Sequence, residues 1–160
     1  MIRLETASDL GAIRRVLTAA FPSSAEAELV DGLRSAGDLV LSLVADDGEV
    51  VGHIAFSRLG VSELRATALG PIGIRPERQR IGIGSSLVQA GLSRLTQAGE
   101  DLVVVLGEAQ FYARFGFSRE AAAWLKTPYD GPHLLAKALS ERGSRAHGEA
   151  RYAPAFAALG

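Results

Sequence analysis

The chain has no cysteine among its 160 residues. That excludes disulfides, thiolate metal sites, a thiol nucleophile and an enzyme-bound thioester together. Histidine is scarce as well. His53, His133 and His147 are the three present, without ligand spacing, so no metal is expected. No sign of charge dominates. Seventeen basic residues face 18 acidic ones, a formal net charge of −1, which gives no electrostatic case for nucleic acid as a partner. No run approaches the ~18 uninterrupted apolar residues of a membrane span. The opening Met1-Ile2-Arg3-Leu4-Glu5 lacks the apolar core of a signal peptide. The expectations are no membrane partner and a cytoplasmic location. Apolar residues, by contrast, make up 48% of the chain, enough for a core without staples. One domain over 1–160 is expected, with its core at about 2–139 and a C-terminal extension at 140–160.

Ser8-Asp9 reads as a helix N-cap, followed by Leu10, Ile13, Val16, Leu17 and Ala20 at helical spacing. Pro22-Ser23-Ser24 breaks that helix. A second spans Ala25 to Ser35, with Leu29, Val30 and Leu33 on one face, and Gly37-Asp38 stops it. Leu39 to Ala45 and Val50 to Leu59 read as antiparallel strands around the turn Asp46-Asp47-Gly48-Glu49. Gly60 to Arg65 reads as a polar connection, and Ala66 to Ile74 as the next strand. Leu102 to Leu106 is β-branched and lacks polar alternation, which predicts burial on both faces and parallel pairing. Ala109 to Phe115 reads as a short helix and Leu134 to Leu139 as a last strand. In the tail, Tyr152, Phe156 and Leu159 are the residues placed to pin it to the body. The fold class is α/β: a mixed sheet with helices on its faces.

Between the strand ending at Ile74 and the amphipathic run from Ser85 to Ala98 lies Pro76-Glu77-Arg78-Gln79-Arg80-Ile81-Gly82-Ile83-Gly84-Ser85. A strand, a turn with two glycines and a helix start leave backbone N–H groups unpaired and aimed past the strand end. Without a Cβ, glycine lets an anion approach the backbone closely. Such a turn is suited to an anionic ligand, and a pyrophosphate is the natural candidate. The dinucleotide fingerprint would need a third glycine and a P-loop would need Gly-Lys-Ser/Thr; neither is present.

Gln79-Arg80-Ile81-Gly82-Ile83-Gly84 resembles the Gln/Arg-x-x-Gly-x-Gly/Ala signature of the GNAT N-acetyltransferase superfamily. Phe111-Tyr112-Ala113-Arg114-Phe115-Gly116-Phe117 resembles its second landmark, a tyrosine four residues before Gly-Phe. Leu69-Gly70-Pro71, Val104-Val105-Leu106-Gly107 and Pro128-Tyr129-Asp130-Gly131-Pro132 are similar to a small bacterial subgroup of predicted acetyltransferases. The resemblance covers roughly Ile2 to Leu139. It implies the GNAT fold, a mostly antiparallel sheet splayed between its fourth and fifth strands, and acetyl-CoA as co-substrate with no metal.

It further implies that Gln79, Arg80, Ile81, Gly82, Ile83, Gly84 and Ser85 hold the pyrophosphate. Ile72, Gly73 and Ile74 would offer a strand edge to the pantetheine amides, and one N–H there would polarise the thioester carbonyl. Tyr112 would be the acid that serves the departing thiolate. The base is less fixed: Glu28 is the first choice, with Glu108 and His53 behind it. Trp124 and Tyr129 are candidates for an acceptor pocket. The implied reaction is direct acetyl transfer to a primary amine, on a small molecule, a peptide or a protein. The alternative is a catalytically silent CoA-binding sensor. A homodimer is a reasonable expectation because symmetric dimers are common.

Overall fold

The computed structural model describes residues 1–159, with side chains to residue 158; the Leu159 side chain, expected to pin the tail, lies outside the described residues. The elements are β1 (Ile2–Leu4), α1 (Leu10–Ala20), α2 (Ala25–Ala36), β2 (Leu39–Asp46), β3 (Val50–Val61) and β4 (Leu64–Ile74). They continue with α3 (Ile83–Gln97), β5 (Leu102–Leu106), α4 (Ala109–Ala113), β6 (Leu125–Lys126), β7 (Leu134–Ala138) and β8 (Gly148–Arg151).

The sheet runs β1-β2-β3-β4-β5-β7, with β8 joining β3 and β6 joining β8. Among the described residues only the β4–β5 and β6–β8 pairs are parallel. Alternation along β3 divides the core. Ile54 and Phe56 face α3 among Leu87, Val88 and Val103, while Ala55 faces α1 and α2 among Ile13, Val16 and Val30. The sheet is therefore covered on both faces. Gly91 of α3 sits where a Cβ would lie 2.4 Å from the Phe56 ring, so its absence lets helix and sheet pack closely.

Several boundaries differ from the sequence expectation. The first helix is entered by a 3-10 turn at Ala7–Asp9, and the Asp9 carboxylate accepts from the Thr6 N–H (2.7 Å) and from Arg3 (2.7 and 3.0 Å). So Asp9 closes the turn back onto Thr6 rather than capping α1 with Ser8. The stretch Gly60 to Arg65 is no polar connection. It continues the β3–β4 ladder, with Gly60 opposite Arg65 and Val61 opposite Leu64, and only Ser62-Glu63 turn. Three strands were not expected: β1, β6 and β8. Each is four residues or shorter, too short for periodicity to register. Through β8 the tail joins the body, Gly60 opposite Arg151 and Val61 opposite Ala150.

Candidate active site

Strand β4 carries the site. It pairs with β5 only from Ala66 opposite Leu102 to Leu69 opposite Val105. Gly70 and Pro71 follow, and the register against β3 shifts there: Phe56 pairs with Leu69, but Ile54 pairs with Ile72. The extra residue is a β-bulge. Beyond it β4 continues on β3 to Ile74 with no strand on its other side among the described residues. Ile72, Gly73 and Ile74 therefore present one unpaired backbone edge into the gap. Gly73 also has a packing reason, since a Cβ there would fall 2.9 Å from Leu17 Cδ2 of α1.

The gap holds a cavity of about 470 Å³. Leu69, Gly70, Pro71 and Ile72 form one side, Val104, Val105 and Leu106 the other, and Tyr112 closes its end. The Tyr112 ring is buried and fixed edge-on by Phe111 (4.9 Å between centroids) and Phe117 (5.5 Å). Its other support is Gly107, where a Cβ would sit 2.4 Å from the ring. Burial alone pushes the phenol up to about 12, because the phenolate loses its hydration there.

A second cavity, about 390 Å³, lies farther along the same strand. Ile74, Gln79, Arg80, Gly82, Ile83, Gly84 and Ser85 line it together with Phe111 and Arg114. Gly82 is the N-cap of α3, in left-handed conformation at φ 95°, and no side chain caps the helix. The first backbone N–H groups of α3 are left without intrahelical partners and face this cavity. Arg80 is also left-handed (φ 67°), which a non-glycine residue adopts only when the surrounding turn imposes it. Gln79 Nε2 donates to the Ile74 carbonyl (3.0 Å), fastening the turn to the strand end. Arg78 is held in an ion pair with Asp47.

So the predicted phosphate and pantetheine residues come together along one line, from Ser85 through Ile74 to Ile72 and Tyr112, except Ile81, which is 66% exposed and lines neither cavity. The candidate bases do not join them. Glu28 is exposed and accepts from Ser24 Oγ (3.1 Å), and Glu108 is exposed at the start of α4. His53 is fully buried between β2 and β4. Its Nε2 lies 2.8 Å from Ser42 Oγ, whose proton goes to Glu5. The neutral ring must then carry its hydrogen on Nε2, which leaves Nδ1 buried and unpartnered. Desolvation lowers its pKa to about 4, and it lines neither cavity. Tyr129 does line the larger cavity, whereas Trp124 is 76% exposed and does not.

Sequence reading missed other lining residues. Glu26 enters the larger cavity, two positions before Glu28 and so on a different face of α2. The signal was present: Glu26 falls on the stripe of Leu29, Val30 and Leu33. Tyr152 and Phe156 also line that cavity, brought there by β8. Arg114 stacks over Phe111 (4.7 Å) and donates to Ser85 Oγ (3.1 Å), adding a cation to the second cavity. Among the described residues no group of three or more His, Asp or Glu is placed to hold a metal, and no helix is long and apolar enough to cross a membrane.

Residues 10–117 match the model of the acetyltransferase (GNAT) family. N-acetyltransferase YhbS of Escherichia coli K12 is 37% identical over 135 residues, covering 82% of this chain and 81% of that protein. The crystal structure of E. coli YhbS in complex with CoA aligns with a TM-score of 0.92 at 33% identity, covering 100% of this chain and 93% of that one. A GNAT family acetyltransferase from Brucella melitensis in complex with acetyl-CoA aligns with a TM-score of 0.83 at 36% identity, covering 98% and 97%.

Proposed function

The chain belongs to the GNAT family of acyl-CoA-dependent N-acetyltransferases, and from that premise we propose that it moves an acetyl group from acetyl-CoA to a primary amine by direct attack. The observation that carries this reading is the unpaired edge of β4, which runs from an uncapped helix start to a buried tyrosine. The residues fit the co-substrate. The N–H groups of Gly82 to Ser85, with Arg80 and Arg114, suit a pyrophosphate. The edge at Ile72, Gly73 and Ile74 suits the pantetheine amides as a strand would.

The amine nitrogen attacks the thioester carbon, and the carbonyl oxygen takes up negative charge. A backbone N–H near Ile72 or Ile74 stabilises that oxyanion. The carbon–sulfur bond then breaks and the sulfur leaves with its electron pair. Tyr112 donates a hydrogen bond to it. A phenol at about 12 is a weaker acid than a thiol near ~8.5. Full transfer from Tyr112 to a free thiolate is therefore uphill, so the phenol stabilises charge developing on sulfur while the proton shed by the attacking nitrogen arrives. One proton ends on sulfur and one leaves to solvent. Of the two glutamates near the start of α2, Glu26 is the one in the cavity, so the base expected at Glu28 moves to Glu26 in this proposal.

A silent sensor would have no use for a buried phenol and a carboxylate in one cavity, which favours the enzyme reading. The acceptor is a small molecule or a peptide amine, the site of action is the cytoplasm, and the protein works alone or as a homodimer. The test is thiol release from acetyl-CoA over a broad amine panel. Amine-dependent release that collapses in Tyr112→Phe supports the reading. Tight CoA binding without amine-dependent release would return the chain to the sensor class.

A further inference from the structure

We propose that the acceptor is an amine on an aromatic or otherwise apolar body, with no carboxylate beside the nitrogen, and that Glu26 holds its ammonium. This deepens the transferase reading and rests on it. Glu26 lines the larger cavity, and its Oε1 is buried with no hydrogen-bond partner. A buried carboxylate oxygen without a donor is costly, and native proteins rarely keep one without use. An ammonium supplies the missing donors and the opposite charge.

The rest of the cavity says what the ammonium is attached to. Glu26 is the only charged side chain among the described lining residues. Beside it stands a wall of rings. Tyr129 meets Tyr152 edge-on at 5.0 Å, and Tyr152 meets Phe156 at 5.3 Å. Aromatic faces receive an apolar body without a polar penalty. The Tyr152 hydroxyl is near Thr127 but buried without a well-formed hydrogen bond, and burial pushes it up to about 12. It is a neutral polar contact, not a counter-ion.

The same inventory rejects two common acceptor classes. An α-amino acid would bring its carboxylate next to Glu26, with no arginine or lysine lining the cavity to meet it. A polyamine would bring further ammonium groups among rings, and Glu26 can satisfy only the nearest. Tyr112 lines the same cavity, so a nitrogen held by Glu26 shares the chamber where the thioester is proposed to end.

The test measures thiol release from acetyl-CoA with 2-phenylethylamine, phenylalanine, phenylalaninamide, spermidine and a short peptide with a free N-terminus. The expected order places 2-phenylethylamine at least ~10-fold above phenylalanine in kcat/KM, with phenylalaninamide recovering most of the difference because its carboxyl is neutral. Glu26→Gln keeps the shape and removes the charge. It is expected to lower kcat/KM for 2-phenylethylamine by roughly 10- to 100-fold, through a raised KM from the lost ammonium contact and a lowered kcat from the lost base, with CoA affinity unchanged. The amine-to-amino-acid ratio in the native protein needs no variant, so it decides even if Glu26→Gln misfolds. Turnover of spermidine or the peptide without 2-phenylethylamine overturns the proposal and leaves the transferase intact. An unchanged amine KM in a folded Glu26→Gln also overturns it. Release with none of these amines overturns this proposal, and the broad amine panel then decides the transferase reading.

Discussion

Gly107→Ala is the sharpest probe of the proposed catalytic geometry, because it moves the phenol without replacing it. A Cβ at residue 107 would lie 2.4 Å from Tyr112 Cε2 and 2.9 Å from Cδ2. Ordinary contact begins near 3.4 Å, so the ring must withdraw by about 1 Å. Phe111 and Phe117 are packed against it, and the open direction is the cavity. Overpacking of this kind costs about 1–3 kcal/mol, which in a chain of this size lowers the melting temperature by a few degrees to about 10 °C. Misplacing a catalytic group by about 1 Å costs on the order of 100-fold in rate, or about 2.7 kcal/mol of barrier. The expected outcome is a kcat down by about two orders of magnitude with CoA affinity retained. Thiol-release kinetics, calorimetric CoA binding and a melting curve measure the three quantities. The double variant with Tyr112→Phe should be no slower than the worse single variant, because both act through one hydroxyl. A folded Gly107→Ala with native kcat would refute the claim that the phenol's position matters.

Tyr112→Phe alone should lower kcat by about 10²- to 10⁴-fold. Because burial holds the phenol up at about 12, Tyr112 should add no alkaline fall to the native kcat profile below about pH 11; such a limb, absent from Tyr112→Phe, would contradict its burial. Gly82→Glu places a like charge beside the phosphates and strains a backbone at φ 95°, so CoA affinity should fall by roughly 10-fold or more. Unchanged affinity in a folded variant would remove the phosphate assignment. His53 is lowered from 6.5 to about 4 by desolvation, so between those pH values the unfolded chain binds a proton that the folded chain refuses. Its contribution is complete above about pH 6.5 and declines as pH falls towards 4, by up to about 3 kcal/mol. Urea unfolding of the native protein and His53→Gln at pH 7 and pH 4.5 should show a shallower pH dependence in the variant, and equal dependence would refute the assignment.

The proposed cofactor side of the site could be read in the chain because its chemistry is local. Gln79 to Ser85 needs only a strand end, two glycines and a helix start, all contiguous, and the structure places all of these residues but Ile81 around one cavity. Tyr112 was legible through its spacing from Gly116-Phe117, and Leu102 to Leu106 through its unbroken apolar character. The acceptor side was not legible, because its residues meet only in three dimensions. That Glu26 and not Glu28 lies on the apolar stripe of α2 could be read from the spacing, but that this stripe borders a cavity depends on how α2 packs against the sheet. Tyr152 and Phe156 reach the cavity because Arg151 and Ala150 pair with Gly60 and Val61, a contact between distant segments that a four-residue strand does not advertise. The bulge at Gly70 and Pro71 ends the β4–β5 ladder, yet only the register against β3 reveals it. Backbone chemistry within a few residues thus sets where the proposed anion would bind. Packing between remote segments decides what meets it at the other end.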